Sequence, residues 1–235
     1  MSTSSSATTG KTLTSYDPFP VTHPSRLAAA AGLFGLRPPD VTRCRVLELG
    51  CAAAGNLLPM AEQLPEARFL GVDLSAVQVR QGQEAVEALG LNNVELRHAS
   101  ILDVDSSYGP FDYIICHGVF SWVPQEVQDR ILDIAATRLA PEGVAYISYN
   151  TCPGWFMRGM IREMMRYHAA NFATPKIQTR QARALLDFLA ASVPQDGGPF
   201  AALLKQELEI LRTQSDSYLY HEYLEEYNQP LFFHQ

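Results

Sequence analysis

The sequence has few cysteines and no C-x-x-C pair: its four thiols are Cys44, Cys51, Cys116 and Cys152. This scattered spacing does not match the paired ligands of a zinc site, so we expect no bound metal. Three of the four lie in or beside apolar stretches that read as strands, which is typical of reduced, buried thiols in a cytoplasmic protein.

Targeting and membrane-spanning signals are also missing from the sequence. Residues 1–15 contain neither the basic nor the apolar segment of a signal peptide, and they predict a disordered tail. No apolar run is long enough to cross a bilayer. We therefore expect a cytoplasmic protein without a membrane partner.

Basic residues are fewer than acidic ones: the sequence has 18 Lys and Arg residues, 25 Asp and Glu residues and a formal net charge of −7. This balance argues against nucleic acid as the main partner. The 47% hydrophobic and 18% charged composition is typical of a soluble globular protein.

Strand and helix patterns alternate through the first two thirds of the chain. Apolar strand segments are expected at 45–49, 68–72, 94–98, 113–116 and 144–149, with amphipathic helices between most of them. This alternation predicts an α/β fold with five parallel strands and both sheet faces covered. From about residue 154 the apolar residues follow helical spacing only, which predicts a helical subdomain.

A short motif after the first strand indicates a nucleoside-binding turn. The strand enters Glu48, Gly50 and a run of small residues, a helix opens directly afterwards, and Asp73 ends the second strand. In open α/β sheets such a turn brings backbone close to a ligand, and the second acid accepts hydrogen bonds from the ribose diol.

The residues of the turn separate two cofactor classes. A dinucleotide site needs G-x-G-x-x-G, but the register here is Gly50-x-Ala52-x-x-Gly55, with a methyl group where the pyrophosphate would approach. Glu48 would repel a pyrophosphate and attract a cationic ligand. The turn therefore favours S-adenosylmethionine, while an NAD(P)-dependent oxidoreductase stays the alternative from another class.

Longer sequence blocks resemble a known family. These blocks are Thr22-His23-Pro24, residues 43–51, Gly55-Asn56-Leu57, residues 117–124 and residues 149–155. Together they resemble class I S-adenosylmethionine-dependent methyltransferases. The blocks at 117–124 and 149–155 are similar to the bacterial group in which a methyltransferase regulatory domain follows the catalytic core.

The resemblance implies a domain plan. It gives a Rossmann-like core over residues 16–153, and a helical cap or the start of the regulatory domain over residues 154–235. The class normally has a sixth and a seventh strand, which are not recognisable in this sequence. We therefore expect a truncated chain, and a homodimer formed through the helical segment is a further expectation.

The resemblance also implies roles for individual residues. It assigns S-adenosylmethionine binding to Glu48, Gly50, Cys51, Ala52, Gly55, Asn56, Asp73, Leu74, Ser100, Ile101 and His117. The catalytic candidates are His117, Tyr149 and Asn150. His117 either accepts a proton from the substrate or orients its loop through a backbone hydrogen bond.

The acceptor of the methyl group is not specified by these motifs. Some relatives suggest a protein lysine, and a small-molecule acceptor stays open, because the fold alone does not choose the chemistry. Ala52 and Ala54 stand where the class usually has glycines, and an alanine that needs a positive φ is strained. A degenerate, non-catalytic S-adenosylmethionine-binding module is therefore the second alternative.

Overall fold

The computed structural model describes residues 18–194 and 196–234, so the tail predicted for residues 1–15 lies outside the described residues. The chain divides into two compact units between Tyr149 and Asn150, where the sequence analysis ended the core at residue 153. Each unit is described by itself.

The first unit is built on one sheet of five parallel strands. In chain order these are β1 (Arg45–Leu49), β2 (Arg68–Asp73), β3 (Val94–His98), β4 (Phe111–Cys116) and β5 (Leu139–Ile147). The strand order is β3-β2-β1-β4-β5, with every pairing parallel. The predicted α/β fold with five parallel strands is confirmed.

The strand order determines where a ligand can bind. The chain runs outward from β1 through β2 to β3 and then crosses to β4 on the other side of β1. The carboxyl ends of β1 and β4 therefore flank a crevice at the reversal of strand order, which is where open α/β sheets bind their ligands.

In the described part of this unit, α1 (Pro24–Leu33) precedes β1, and three helices connect strands: α2 (Leu57–Gln63), α3 (Ala76–Ala88) and α4 (Gln125–Arg138). Their apolar sides are buried against strand residues, and α2 contributes Leu57 and Met60 to the same core as Val46 and Phe69. Short 3-10 turns occur at Pro20–Thr22, Ile101–Asp103 and Phe120–Trp122.

Strand β5 differs from the sequence expectation of 144–149. It begins at Leu139, because Leu139 pairs with Phe111 while Val144 pairs with Tyr113, and the intervening residues bulge out of register. Glu142 has φ 63° within this bulge. Pro141 and Gly143 break the strand pattern in the sequence, but pairing with β4 tolerates the extra residues.

The second unit is helical, as the spacing after residue 154 predicts. It comprises α5 (Gly154–Ala169), α6 (Pro175–Ser192), α7 (Gly198–Thr213), the short α8 (Asp216–Leu219) and a π-helical turn (Tyr220–Leu224). These elements enclose a core with Ile161, Met165, Leu186 and Leu204. Within the described part of this unit, strand-like pairing is limited to a bridge between Thr151 and Leu231.

None of the helices in the described residues combines the length and the apolar character that a bilayer crossing requires. The four cysteines are free, and Cys44, Cys51 and Cys116 are buried, as the sequence predicts. Burial raises the pKa of Cys44 and of Cys116 to about 12, so both stay thiols at neutral pH.

Candidate functional site

Gly50 opens the turn after β1 and is held close to two neighbouring elements. Its N–H donates to Val72 O at 2.8 Å, and its φ is 75°. A Cβ at this position would lie 2.4 Å from Cγ2 of Val119, which follows β4. Only glycine satisfies both demands, because it adopts positive φ without strain and leaves room for the β4 loop.

Ala52 and Ala54 both adopt the left-handed conformation, with φ 50° and 62°. The strain that the sequence analysis expected at these alanines is therefore present. Ala52 is held by a hydrogen bond from its N–H to Asp73 Oδ2 at 2.8 Å. A left-handed alanine costs about 1–2 kcal/mol, so the surrounding contacts must offset that energy.

We expect the two alanines to respond differently to glycine. Ala52→Gly should raise the free energy of unfolding by about 0.5–1 kcal/mol, because relief of the backbone strain exceeds the entropy cost of glycine. Ala54 is completely buried. Ala54→Gly also loses a buried methyl group worth about 0.8 kcal/mol, so its stability should stay close to that of the parent. Urea denaturation of both variants tests this, and a loss above about 1 kcal/mol in Ala52→Gly would contradict it.

Asp73 ends β2 beside the turn. Its Oδ2 accepts from Ala52 and its Oδ1 accepts from the N–H of Ser75 at 2.8 Å. A carboxylate has about four acceptor positions, so two of them stay available for ribose hydroxyls. Leu74, the next residue, is 72% exposed and offers an apolar surface to a planar ring.

Glu48 lies in β1 and is 4% exposed. Its Oε1 accepts from Nδ2 of Asn56 at 2.7 Å, whereas its Oε2 is buried and has no hydrogen-bond partner among the described residues. Burial raises the pKa of Glu48 to about 8, helped by the nearby Asp73 and opposed by the Asn56 hydrogen bond. Glu48 is therefore mostly protonated at pH 7 in the free protein, and a cation that reaches Oε2 would favour its charged form.

Asn56 joins the turn to the segment before α1. Its Oδ1 accepts from the N–H of Phe19 at 2.9 Å, and its Nδ2 donates to Thr22 Oγ1 at 3.0 Å as well as to Glu48. The side chain of Asn56 is therefore occupied by contacts within the protein, although the resemblance assigned it to cofactor binding. Phe19 is a site residue that the sequence analysis missed, because its importance depends on contacts with distant positions.

His117 follows β4 directly and faces the same region. Its ring centroid lies 4.1 Å from that of Phe19 and 5.9 Å from that of Tyr146. Burial lowers the pKa of His117, so the ring is neutral at pH 7. Its Nδ1 is buried and makes no hydrogen bond within the described part of the chain. Nδ1 therefore makes no orienting hydrogen bond to the backbone of the described residues.

Ser100 and Ile101 follow β3, adjacent to Asp73. The Asp73 carbonyl accepts from the N–H of Ala99 at 3.1 Å, which ties the ends of β2 and β3 together. Ser100 Oγ accepts from the N–H of Leu102 at 3.2 Å, so its hydroxyl caps the following 3-10 turn. Ser100 and Ile101 are both half-buried at this edge of the site.

The remaining catalytic candidates fall in different units. Tyr149 ends the first unit, with its ring 6.4 Å from that of Phe120. Asn150 begins the second unit, where its Nδ2 donates to Asn228 Oδ1 at 3.0 Å. The structure therefore brings Glu48, Gly50, Cys51, Ala52, Gly55, Asn56, Asp73 and His117 together within the first unit, with Leu74, Ser100 and Ile101 beside them.

The backbone donors of the turn distinguish a cationic ligand from a pyrophosphate. The N–H groups of Gly50 and Cys51 both donate to Val72 O, that of Ala52 to Asp73, and that of Ala54 to Cys51 O. A pyrophosphate site depends on free N–H groups at this place. Four of them are used internally here, and a buried acid lies beside them.

Comparison with known proteins agrees with this geometry. Residues 46–143 match the family described as "Methyltransferase domain". The uncharacterized protein RP028 of Rickettsia prowazekii is 45% identical over 222 residues, which cover 94% of this chain and 89% of RP028. The chain belongs to the class I S-adenosylmethionine-dependent methyltransferases. The cofactor of this family is S-adenosylmethionine.

Two longer relatives are similar to this methyltransferase chain. RP789 of Rickettsia prowazekii, also uncharacterized, is 48% identical over 93% of the chain and 39% of its own length. The structure of PKMT2 from Rickettsia typhi in complex with AdoHcy has a TM-score of 0.84 and 47% identity, and it covers 93% of this chain and 42% of PKMT2. The chain thus spans about two fifths of the length of these two relatives.

Proposed function

We propose that this protein binds S-adenosylmethionine at the carboxyl ends of β1, β2 and β4 and transfers its methyl group to an acceptor nucleophile. The unpartnered, buried Oε2 of Glu48 carries this proposal, because a ligand with an ammonium group satisfies that oxygen and a pyrophosphate does not. The occupied N–H groups of the turn support the same choice.

Each part of the donor has a partner of matching chemistry in the first unit. Glu48 receives the ammonium group of the amino-acid end, Asp73 accepts the ribose hydroxyls and the exposed Leu74 packs against the adenine. When bound, the donor supplies a methyl group on a positively charged sulfur: the acceptor nucleophile would bond to the methyl carbon in one step, the carbon–sulfur bond would break, and AdoHcy would leave. The chain's task is therefore positioning and exclusion of water rather than covalent catalysis.

His117 is the residue that we propose to receive the acceptor. Its neutral ring offers an unpartnered nitrogen just beyond β4. Such a nitrogen can hold the N–H of an amine, or take its proton as the new bond forms. The lowered pKa of His117 makes the ring a weak base, so we assign it chiefly to orientation of the nucleophile.

We propose a protein lysine as the acceptor, and membership of the group that carries a methyltransferase regulatory domain. The similarity to PKMT2 supports the acceptor, and the unusual blocks at 117–124 and 149–155 support the group. Helices α5–α7 follow the core where that domain would begin.

Two measurements test the proposed function. Calorimetric titration with S-adenosylmethionine, AdoHcy and NAD should show binding of the first two only, and selective NAD binding would replace the proposal with an oxidoreductase. Incubation with labelled donor and lysine-containing protein should then yield AdoHcy and labelled lysine. Donor binding without product from any protein or small-molecule mixture would identify a non-catalytic binding module.

A further inference from the structure

The segment Phe19–Thr22 contacts residues on both sides of the reversal of strand order. Thr22 and the N–H of Phe19 are hydrogen-bonded to Asn56, in the turn after β1, and the Phe19 ring contacts His117, directly after β4. Because β1 and β4 are neighbours in the sheet, this segment bridges the two strand ends that flank the proposed donor site.

Hydrogen bonds hold the segment closed. Thr22 is completely buried, and its hydroxyl donates to Phe19 O at 2.8 Å while accepting from Asn56 at 3.0 Å. Asn56 accepts from the N–H of Phe19 and also donates to Glu48. One amide side chain thus fastens the segment and contacts the carboxyl group to which we assign the donor's ammonium group.

We propose that Phe19–Thr22 is a strap that opens to admit and release the donor, and that Asn56 is the positioning residue that couples the closed strap to Glu48. The proposal rests on the function proposed above. The strap acts as a gate because Phe19, which is 43% exposed, makes the contact that spans the crevice, whereas the buried Thr22 anchors it.

A gate has a kinetic signature that differs from that of a ligand contact. Loss of the Phe19 ring weakens the closed strap in the free and the bound protein alike, so association and dissociation rates should rise together. We expect Phe19→Ala to raise both rates about three- to tenfold, the size expected from one aromatic pair, and to leave Kd within about threefold. Stopped-flow mixing and displacement with AdoHcy measure both rates.

Asn56→Ala should show the same rate increase together with a pH effect. AdoHcy should bind more tightly as Glu48 loses its proton, because the charged carboxylate meets the ammonium group. Removing the Asn56 hydrogen bond raises the pKa of Glu48 further, so this gain in affinity should occur at a higher pH than in the parent. Asp73 from β2 also raises the pKa of Glu48, and Glu48 in turn raises the pKa of Cys51 in the turn and of Cys116 in β4. These three groups stay in place in the variant.

Asn93→Ala is the matched control. Asn93 donates from its Nδ2 to three backbone carbonyls, those of Ala61, Leu64 and Ala67, and it makes no contact with the strap. This variant should lose stability but exchange AdoHcy at the rates of the parent. If it speeds exchange as much as Asn56→Ala does, the effect is general loosening and the strap is not a gate.

Hydrogen exchange tests the strap in the free protein, independently of the donor. The Phe19 amide should exchange slowly in the parent and in Asn93→Ala, but at least tenfold faster in Asn56→Ala. Parental AdoHcy rates in Phe19→Ala and Asn56→Ala, or a rise in the dissociation rate alone, would overturn the gate while leaving donor binding intact. A parent that exchanges the Phe19 amide slowly but binds no donor would instead overturn the proposed function, and the gate with it.

Discussion

Asp73→Ala is expected to weaken S-adenosylmethionine binding by at least 100-fold. The substitution removes the carboxylate that we assign to both ribose hydroxyls, and hydrogen bonds to a charged acceptor contribute about 1.5–3 kcal/mol each. Two such bonds correspond to a loss of about 3–6 kcal/mol, which calorimetric titration with the donor and with AdoHcy resolves easily.

Asp73 also braces the turn, so its two roles must be separated. The carboxylate accepts from the N–H groups of Ala52 and Ser75, and its removal should lower the free energy of unfolding by about 1–3 kcal/mol. Asp105 provides the control, because it accepts from the N–H and the hydroxyl of Ser107 in an exposed loop. Asp105→Ala should bind the donor as the parent does. Parental affinity in folded Asp73→Ala would contradict the assigned site.

Glu48→Gln is expected to stabilise the protein at pH 8 and to weaken donor binding. Burial raises the pKa of Glu48 to about 8, well above the value near 4.5 of an exposed glutamate. Between these values the unfolded chain loses a proton that the folded protein retains. The stability of the parent should therefore fall as pH rises, by about 1.4 kcal/mol per pH unit at most, and this loss is absent in the glutamine variant.

Urea denaturation at pH 5, 6.5 and 8 measures this difference. Parent and Glu48→Gln should agree within about 1 kcal/mol at pH 5, and the variant should be more stable by about 2–5 kcal/mol at pH 8. Donor affinity should fall about 10–100-fold, because a neutral amide replaces the carboxylate that meets the ammonium group. An unchanged pH dependence in the variant would contradict an isolated, buried carboxyl at position 48.

Glu207 of the second unit is the contrasting buried glutamate. It is 6% exposed, but its Oε1 lies 3.7 Å from Nε of Arg158 and its Oε2 accepts from the hydroxyl of Tyr223. Glu207→Gln should destabilise the protein, because it removes the charge that faces Arg158. A gain in stability in Glu48→Gln and a loss in Glu207→Gln would show that the lack of a charged partner, rather than burial alone, distinguishes Glu48.

The sheet could be predicted from the sequence because its strands are short apolar runs between clear turn residues. The bounds of β1 and β3 agree residue for residue with the sequence analysis. Strand β5 could not be predicted in the same way, since Pro141 and Gly143 read as a loop and only the register with β4 includes the residues before them. The local sequence pattern predicts the bounds of a strand well, except where pairing with a neighbouring strand extends it.

The residues of the candidate site also fall into two groups, those that the sequence indicates and those that only the fold brings in. Glu48, Gly50 and Asp73 could be recognised because their chemistry follows from short spacing along the chain. Phe19 and Val119 could not, because Phe19 is bonded to a residue 37 positions away and Val119 comes to Gly50 from beyond β4. Contacts across such distances leave no periodic signal in the sequence.

The sequence by itself determined the α/β architecture, the small-residue turn with its two acids, and the preference for a cationic nucleoside over a pyrophosphate. Only the tertiary structure decided that one oxygen of Glu48 has no hydrogen-bond partner among the described residues, that Asn56 is engaged by Phe19 and Thr22, and that burial lowers the pKa of His117. The physical reason is that composition and spacing fix which groups are present, whereas burial and hydrogen bonding depend on which distant segments fold against them.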